Sequence, residues 1–359
     1  MVKPVIYGIL FTITMVGAAC TGNDGSSEQM VNLENIKDDP ETQLASLNAA
    51  ITRSGKDASL YNRRAILYLQ LQEFVKALAD AEVAVKLSKN DPALLFVKAQ
   101  VLRALKREGE AITLALQAER NGYQNTMLYV LLSDLYLRLQ QPEKARDYNN
   151  LAYKLSPSDE FVLYYRGRIA AIHGDTSAAV RHYIQAQEKD SAFFEPGREL
   201  AGVYVAGKDF VQAQAVIDQA QKKDSTDGLL WYYQGRLYQA IEKPESALWS
   251  YNKAVGITDT LVTAHYQMGY MYYARGNYNR AITHLEKAAS SYGKTLRFLT
   301  TLGSSYERNG QYQKALEQYE TLAKAEPSYS YAHQSIARLK SRLTTTVADS
   351  TAVLNRIEE

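Results

Sequence analysis

Two rhythms of apolar and polar positions run through this chain. Within short stretches such as GNYNRAITHLEKAA, residues 276–289, apolar side chains recur every three or four positions, the spacing of one helix face. Over longer distances the stretches themselves recur. GQYQKALEQYETLA, residues 310–323, repeats the glycine, tyrosine, first alanine and following apolar residue 34 positions further on. Counted in windows of 34 from Ala58, the twentieth position holds Ala77, Ala111, Ala145, Ala179, Ala213, Ala247, Ala281 and Ala315, with no insertion between them. The eighth position is always small: Ala65, Ala99, Ser133, Gly167, Ala201, Gly235, Gly269 and Gly303. The twenty-seventh is alanine from Ala84 to Ala288 and then Leu322, and the eleventh carries Tyr68, Tyr136, Tyr204, Tyr238, Tyr272 and Tyr306.

This pattern predicts an all-α solenoid, a superhelix of hairpins that bury their faces against their neighbours. A residue with nothing beyond Cβ lets two helix backbones approach closely, and the tyrosines fill the wider gaps. Gly174, Gly276 and Gly310 stand at position fifteen, where the first helix of a hairpin must stop. Pro142 and Pro244 stand at position seventeen, in the first turn of the second helix, where the missing N–H costs nothing.

The register resembles the tetratricopeptide repeat family, a helix-turn-helix unit with small residues at positions 8, 20 and 27. Pro157 and Pro327 fall on that family's proline position, and Trp231 on its early aromatic position. The resemblance covers 58–329 as eight repeats. Residues 41–57 supply a half-repeat helix before them, and 330–343 a capping helix whose outer face is kept wet by Arg338, Lys340 and Arg342. Residues 344–359 have no repeat partner and are expected as a disordered tail.

The N-terminus follows a different grammar. Lys3 precedes an apolar run and then small residues, as in a bacterial export signal over 1–19. Val16-Gly17-Ala18-Ala19-Cys20 resembles a lipoprotein cleavage site in which Cys20, the only cysteine, takes the lipid. Gly17 departs from the leucine that pattern favours, and an ordinary signal peptidase has the same bond open to it. Thr21, in place of an aspartate, points to the outer membrane within that resemblance. Residues 20–40 are polar and aperiodic and read as a flexible tether. The expected location is therefore the bacterial cell envelope after export, lipid-anchored to a membrane and facing the periplasm, with the outer membrane favoured over the inner.

Composition adds mostly exclusions. With 41 basic and 39 acidic residues the chain lacks the basic excess that nucleic acid calls for. His173, His182, His265, His284 and His333 are scattered over repeats and positions, no catalytic motif is present, and no metal or cofactor is expected. The chain reads as a non-enzyme.

In the resembling family the first helices line a concave groove through positions 2, 5, 9, 12 and 13. Carried over, this gives Phe96, Gln100 and Arg103; Asp134 and Arg138; Phe161, Tyr164 and Arg168; Glu195 and Arg198; Tyr232 and Arg236; Tyr266, Tyr270 and Tyr273; and Arg297, Glu307 and Arg308. Every base in this set is arginine, which forks carboxylates and stacks on rings where lysine cannot. Arginine and tyrosine are also frequent binding anchors. The resemblance thus implies a protein or peptide partner carrying carboxylates and apolar side chains, centred on Tyr164, Arg168, Arg198, Tyr232, Arg236, Tyr266 and Tyr270. Internal pairing is the competing expectation, with Asp134 and Arg138 one helical turn apart and Glu307 beside Arg308. The family's clamp for chaperone C-termini is not reproduced, since Asn62 and Ile66 occupy its key positions in the first repeat. A structural subunit of an envelope complex and a binder of wall glycans, with tyrosines as stacking platforms, remain the other two function classes.

Overall fold

The computed structural model describes residues 39–357, with side chains placed through residue 344. Cys20, the signal segment and most of the tether lie outside the described residues. Helix α1 (Pro40–Arg53) precedes eight hairpins. These are α2 (Ala58–Gln70) with α3 (Phe74–Leu87), α4 (Pro92–Ala104) with α5 (Glu108–Arg120), α6 (Thr126–Arg138) with α7 (Pro142–Leu155), and α8 (Glu160–Ile172) with α9 (Thr176–Lys189). They continue as α10 (Glu195–Ala206) with α11 (Phe210–Lys223), α12 (Gly228–Ala240) with α13 (Pro244–Ile257), α14 (Val262–Ala274) with α15 (Tyr278–Tyr292), and α16 (Leu296–Arg308) with α17 (Tyr312–Ala325). Helix α18 (Ser330–Ile357) closes the stack. Among the described residues there is no strand, and no helix long and apolar enough to cross a membrane.

The small-residue register is the seam of this stack. All eight alanines of position twenty have lost their whole surface to neighbours. Position eight faces position twenty-four of the same hairpin, and the two sizes compensate. A Cβ added to Gly167, Gly235 or Gly303 would come within 2.6, 2.5 or 2.9 Å of the Tyr183, Tyr251 or Tyr319 ring. At Gly269 it would meet Leu285 at 2.6 Å. Where position eight already carries a Cβ, the partner is Ala81, Ala115, Asn149 or Ile217, all buried.

The turn inside each hairpin is equally regular. Position fifteen takes a left-handed backbone in all eight units, at Gln72, Lys106, Gln140, Gly174, Lys208, Glu242, Gly276 and Gly310, with φ between 58° and 78°. The next N–H then bonds back to the carbonyl of position eleven, as Glu73 to Tyr68 and Asp209 to Tyr204 at 2.9 Å, closing the helix end. Between hairpins, Asp57, Asp91, Asn125, Asp159 and Asp227 cap the following first helix by accepting its backbone N–H groups.

One boundary differs from expectation. The tail expected from 344 onward continues α18 as helix to Ile357. No glycine or proline interrupts 330–359, so nothing in the backbone chemistry forces the helix to stop at 344.

Candidate binding groove

First helices of neighbouring hairpins pack side by side, α2 on α4, α4 on α6, α6 on α8, α10 on α12 and α14 on α16, and form the inner wall. A cavity of about 490 Å³ opens on that wall over α4, α6, α8 and α10. It is lined by Gln100, Arg103, Asp134, Arg138, Arg168 and Arg198, among others.

Asp134 organises its basic end. The side chain is 1% exposed. Its Oδ2 accepts from Arg103 Nη1 at 3.0 Å and from Arg138 Nε at 2.9 Å, and its Oδ1 accepts from Arg168 Nη1 at 3.4 Å. Burial alone would raise the carboxyl pKa, but the charges of Arg138 and Arg103 outweigh it and hold the group below the ordinary carboxylate range. The pairing expected within α6 is therefore real, and two arginines from flanking hairpins join it. Each arginine remains about a third exposed and spends one donor on the shared carboxylate. The Arg168 guanidinium also lies 5.6 Å from the Tyr165 ring centre and 5.9 Å from that of Tyr164.

The floor is aromatic. Tyr164 is buried, and burial pushes its hydroxyl up to about 12. Its ring meets Phe193 edge-on at 5.2 Å, and Phe193 meets Phe161 at 4.8 Å. Phe193 was not anticipated by the groove positions. It occupies position thirty-four, where Asp91, Asn125, Asp159 and Asp227 stand in four other units, and α10 starts at the next residue but one without a side-chain cap. An apolar or aromatic residue in this slot is a signal that Phe193 shares with Leu261 and Tyr329.

At the far end Arg198 donates to Asp227 at 3.0 Å and to Glu199 at 3.1 Å. Burial works against its charge, yet those two carboxylates raise the guanidinium above its ordinary value. Arg198 is thus a neutralised residue and not a free anchor.

The remaining expected residues form a second group. Arg236 donates to the Tyr232 hydroxyl at 3.2 Å, with Tyr232 itself buried. Tyr266 lies flat on Tyr292 at 3.9 Å, Tyr270 lies under the Arg297 guanidinium at 4.2 Å, and Tyr273 shares a hydrogen bond with Ser304 at 3.0 Å. A face of Tyr266 and of Tyr270 is therefore already covered by a neighbouring side chain. Glu307 takes both donors of Arg338 at 2.9 Å, while Arg308 turns to the Tyr278 hydroxyl.

Two histidines that the sequence left apart meet within one hairpin. His265 Nε2 bonds the Asp259 carbonyl at 2.8 Å, so that nitrogen carries the proton; its Nδ1 then accepts from His284 Nδ1 at 2.8 Å. Burial and the neighbouring His265 lower the His284 pKa to about 4. Among the described residues no group of three or more His, Cys, Asp or Glu is placed to hold a metal.

Residues 96–160 and 266–331 match the tetratricopeptide repeat family. These are tetratricopeptide repeats. The solved structures agree on the tetratricopeptide superhelix. A chain of the APC/C hetero-tetramer Cut9–Hcn1 superposes with a TM-score of 0.63 at 14% identity, over 81% of this chain and 57% of that one. A tetratricopeptide repeat protein from Parabacteroides merdae gives 0.54 at 16% identity, over 69% and 98% of the two chains. Human IFIT1 gives 0.54 at 18% identity, over 80% and 69%. At these identities the likeness establishes the fold alone. No curated protein matches the sequence.

Proposed function

We propose that this chain is a non-enzymatic adaptor that holds a protein segment in its concave groove. We further propose that a lipid on Cys20 anchors it to the bacterial envelope, facing the periplasm and favouring the outer membrane. Tetratricopeptide solenoids serve as surfaces for protein partners. The observation that carries the reading here is the cluster of Arg103, Arg138 and Arg168. Three guanidiniums share one buried carboxylate and stay about a third exposed on the groove, beside an aromatic floor. An anchored groove raises the local concentration of whatever it captures.

Photo-crosslinking in intact cells tests the groove. A crosslinker placed at Gln100, which lines the cavity on the inner wall, should give adducts with a partner. One placed at Val75 or Val211, both highly exposed at the start of second helices, should not. Adducts confined to Val75 and Val211 would instead favour a structural subunit held by its outer surface. Palmitate labelling of the wild type, lost in Cys20→Ser, tests the anchor.

A further inference from the structure

We infer that the cavity over Asp134 takes a dipolar peptide segment, with an acidic side chain at one end, a basic one at the other and apolar side chains between. The inference rests on the groove reading and gives its occupant a chemistry. At the α6 end three guanidiniums face two carboxylates, the buried Asp134 and, 3.9 Å from Arg138 on the rim, Glu108, which leaves one positive charge over. The Nε of Arg103 here and that of Arg198 at the other end are both buried with no hydrogen-bond partner.

The α10 end has the opposite sign. Arg198 is shared by Glu199 and Asp227, which leaves one negative charge over. Glu195 lines the cavity, partly buried and without a hydrogen bond or ion pair, and adds a second. Phe161, Tyr164 and Phe193 separate the two ends. A uniformly acidic segment would satisfy the first end and be repelled at the second. A segment of mixed sign satisfies both, and the low-dielectric floor strengthens the discrimination. Two helix spacings, about 16–20 Å, separate α6 from α10. Five extended residues cover about 13 Å between their outer Cα atoms, and long side chains supply the rest.

The test is calorimetric titration of the full chain with terminally blocked Glu-Leu-Phe-Leu-Lys. Its neutral analogue Gln-Leu-Phe-Leu-Gln should bind about tenfold more weakly or worse, and the all-acidic Glu-Leu-Phe-Leu-Glu likewise. Arg168→Gln and Arg138→Gln should each cost the first peptide about tenfold. Glu195→Lys should reverse the preference and favour the all-acidic peptide, a result that a merely unfolded variant cannot give. Circular dichroism of each variant establishes that the helices are kept. Equal binding of the neutral peptide, preference of the wild type for the all-acidic one, or no binding of any of them overturns the inference. The crosslinks from Gln100 report on the groove separately, so they survive if only the dipolar assignment is wrong.

Discussion

Replacing Gly167 by alanine should reverse in sign according to what stands at position 183. In the wild type the new methyl would sit 2.6 Å from two ring carbons of Tyr183, itself 1% exposed and unable to swing away. An ordinary contact needs nearly 1 Å more, so α8 and α9 must part along a seam where every other unit is in register. Overpacking of this kind costs about 1–3 kcal/mol. Tyr183→Ala alone opens a cavity and costs about 3–5 kcal/mol. In that background the glycine no longer has a ring to clear, and Gly167→Ala should recover about 1 kcal/mol through helix propensity. The double variant recreates the Ala65–Ala81 and Ala99–Ala115 pairs that two other hairpins already use. Urea unfolding followed by far-UV circular dichroism gives the four midpoints of the cycle, and the expected coupling is about 2–4 kcal/mol. Gly303→Ala, with its looser 2.9 Å approach to Tyr319, should cost less than Gly167→Ala. If Gly167→Ala shifts the midpoint in the same direction with Tyr183 present and absent, the compensating-size account of the seam is wrong.

Other expectations follow from the turn, the histidine pair and the buried carboxylate. Lys208 holds a left-handed backbone at φ 61°, so Lys208→Gly should raise the thermal midpoint by the equivalent of about 1 kcal/mol; a lowered midpoint would contradict the turn geometry. His284 titrates at about 4 when folded against an ordinary 6.5. The unfolded chain therefore takes up the proton first, and stability should decline as pH falls from about 6.5 toward 4. His284→Gln should flatten that part of the profile, and an unchanged slope would place the titration elsewhere. Asp134→Ala leaves three guanidiniums facing one another and should cost about 3–5 kcal/mol by chemical denaturation, with partial recovery on adding Arg138→Gln.

Much of the architecture was written in single residues. Ala77 through Ala315 announce the seam because only a small side chain permits the close approach, and an unbroken period leaves no freedom in the hairpin count. The left-handed turn was legible at Gly174, Gly276 and Gly310 and hidden at Gln72, Lys106, Gln140, Lys208 and Glu242. There the surrounding hydrogen bonds impose the conformation on residues that do not favour it. For the groove, periodicity told which side chains share the inner wall but not what each one touches. Arg138 is one turn from Asp134 and could be paired by inspection. Arg103 and Arg168 stand 31 and 34 positions away, in neighbouring hairpins, so their attachment depends on how the hairpins stack. The neutralisation of Arg198 by Asp227 was out of sight for the same reason, and the meeting of His265 with His284 depends on how the two helices of one hairpin face each other.

Asp134 joins three successive hairpins through one carboxylate, with Arg103 before it, Arg138 on its own helix and Arg168 after it. A solenoid deforms like a spring, by small rotations of each coil against the next, and such rotations change the separation of these three guanidiniums first. Pitch and occupancy are therefore linked variables. A ligand that draws the arginines together tightens the coil there, and tension applied along the axis must loosen the grip by the same free energy.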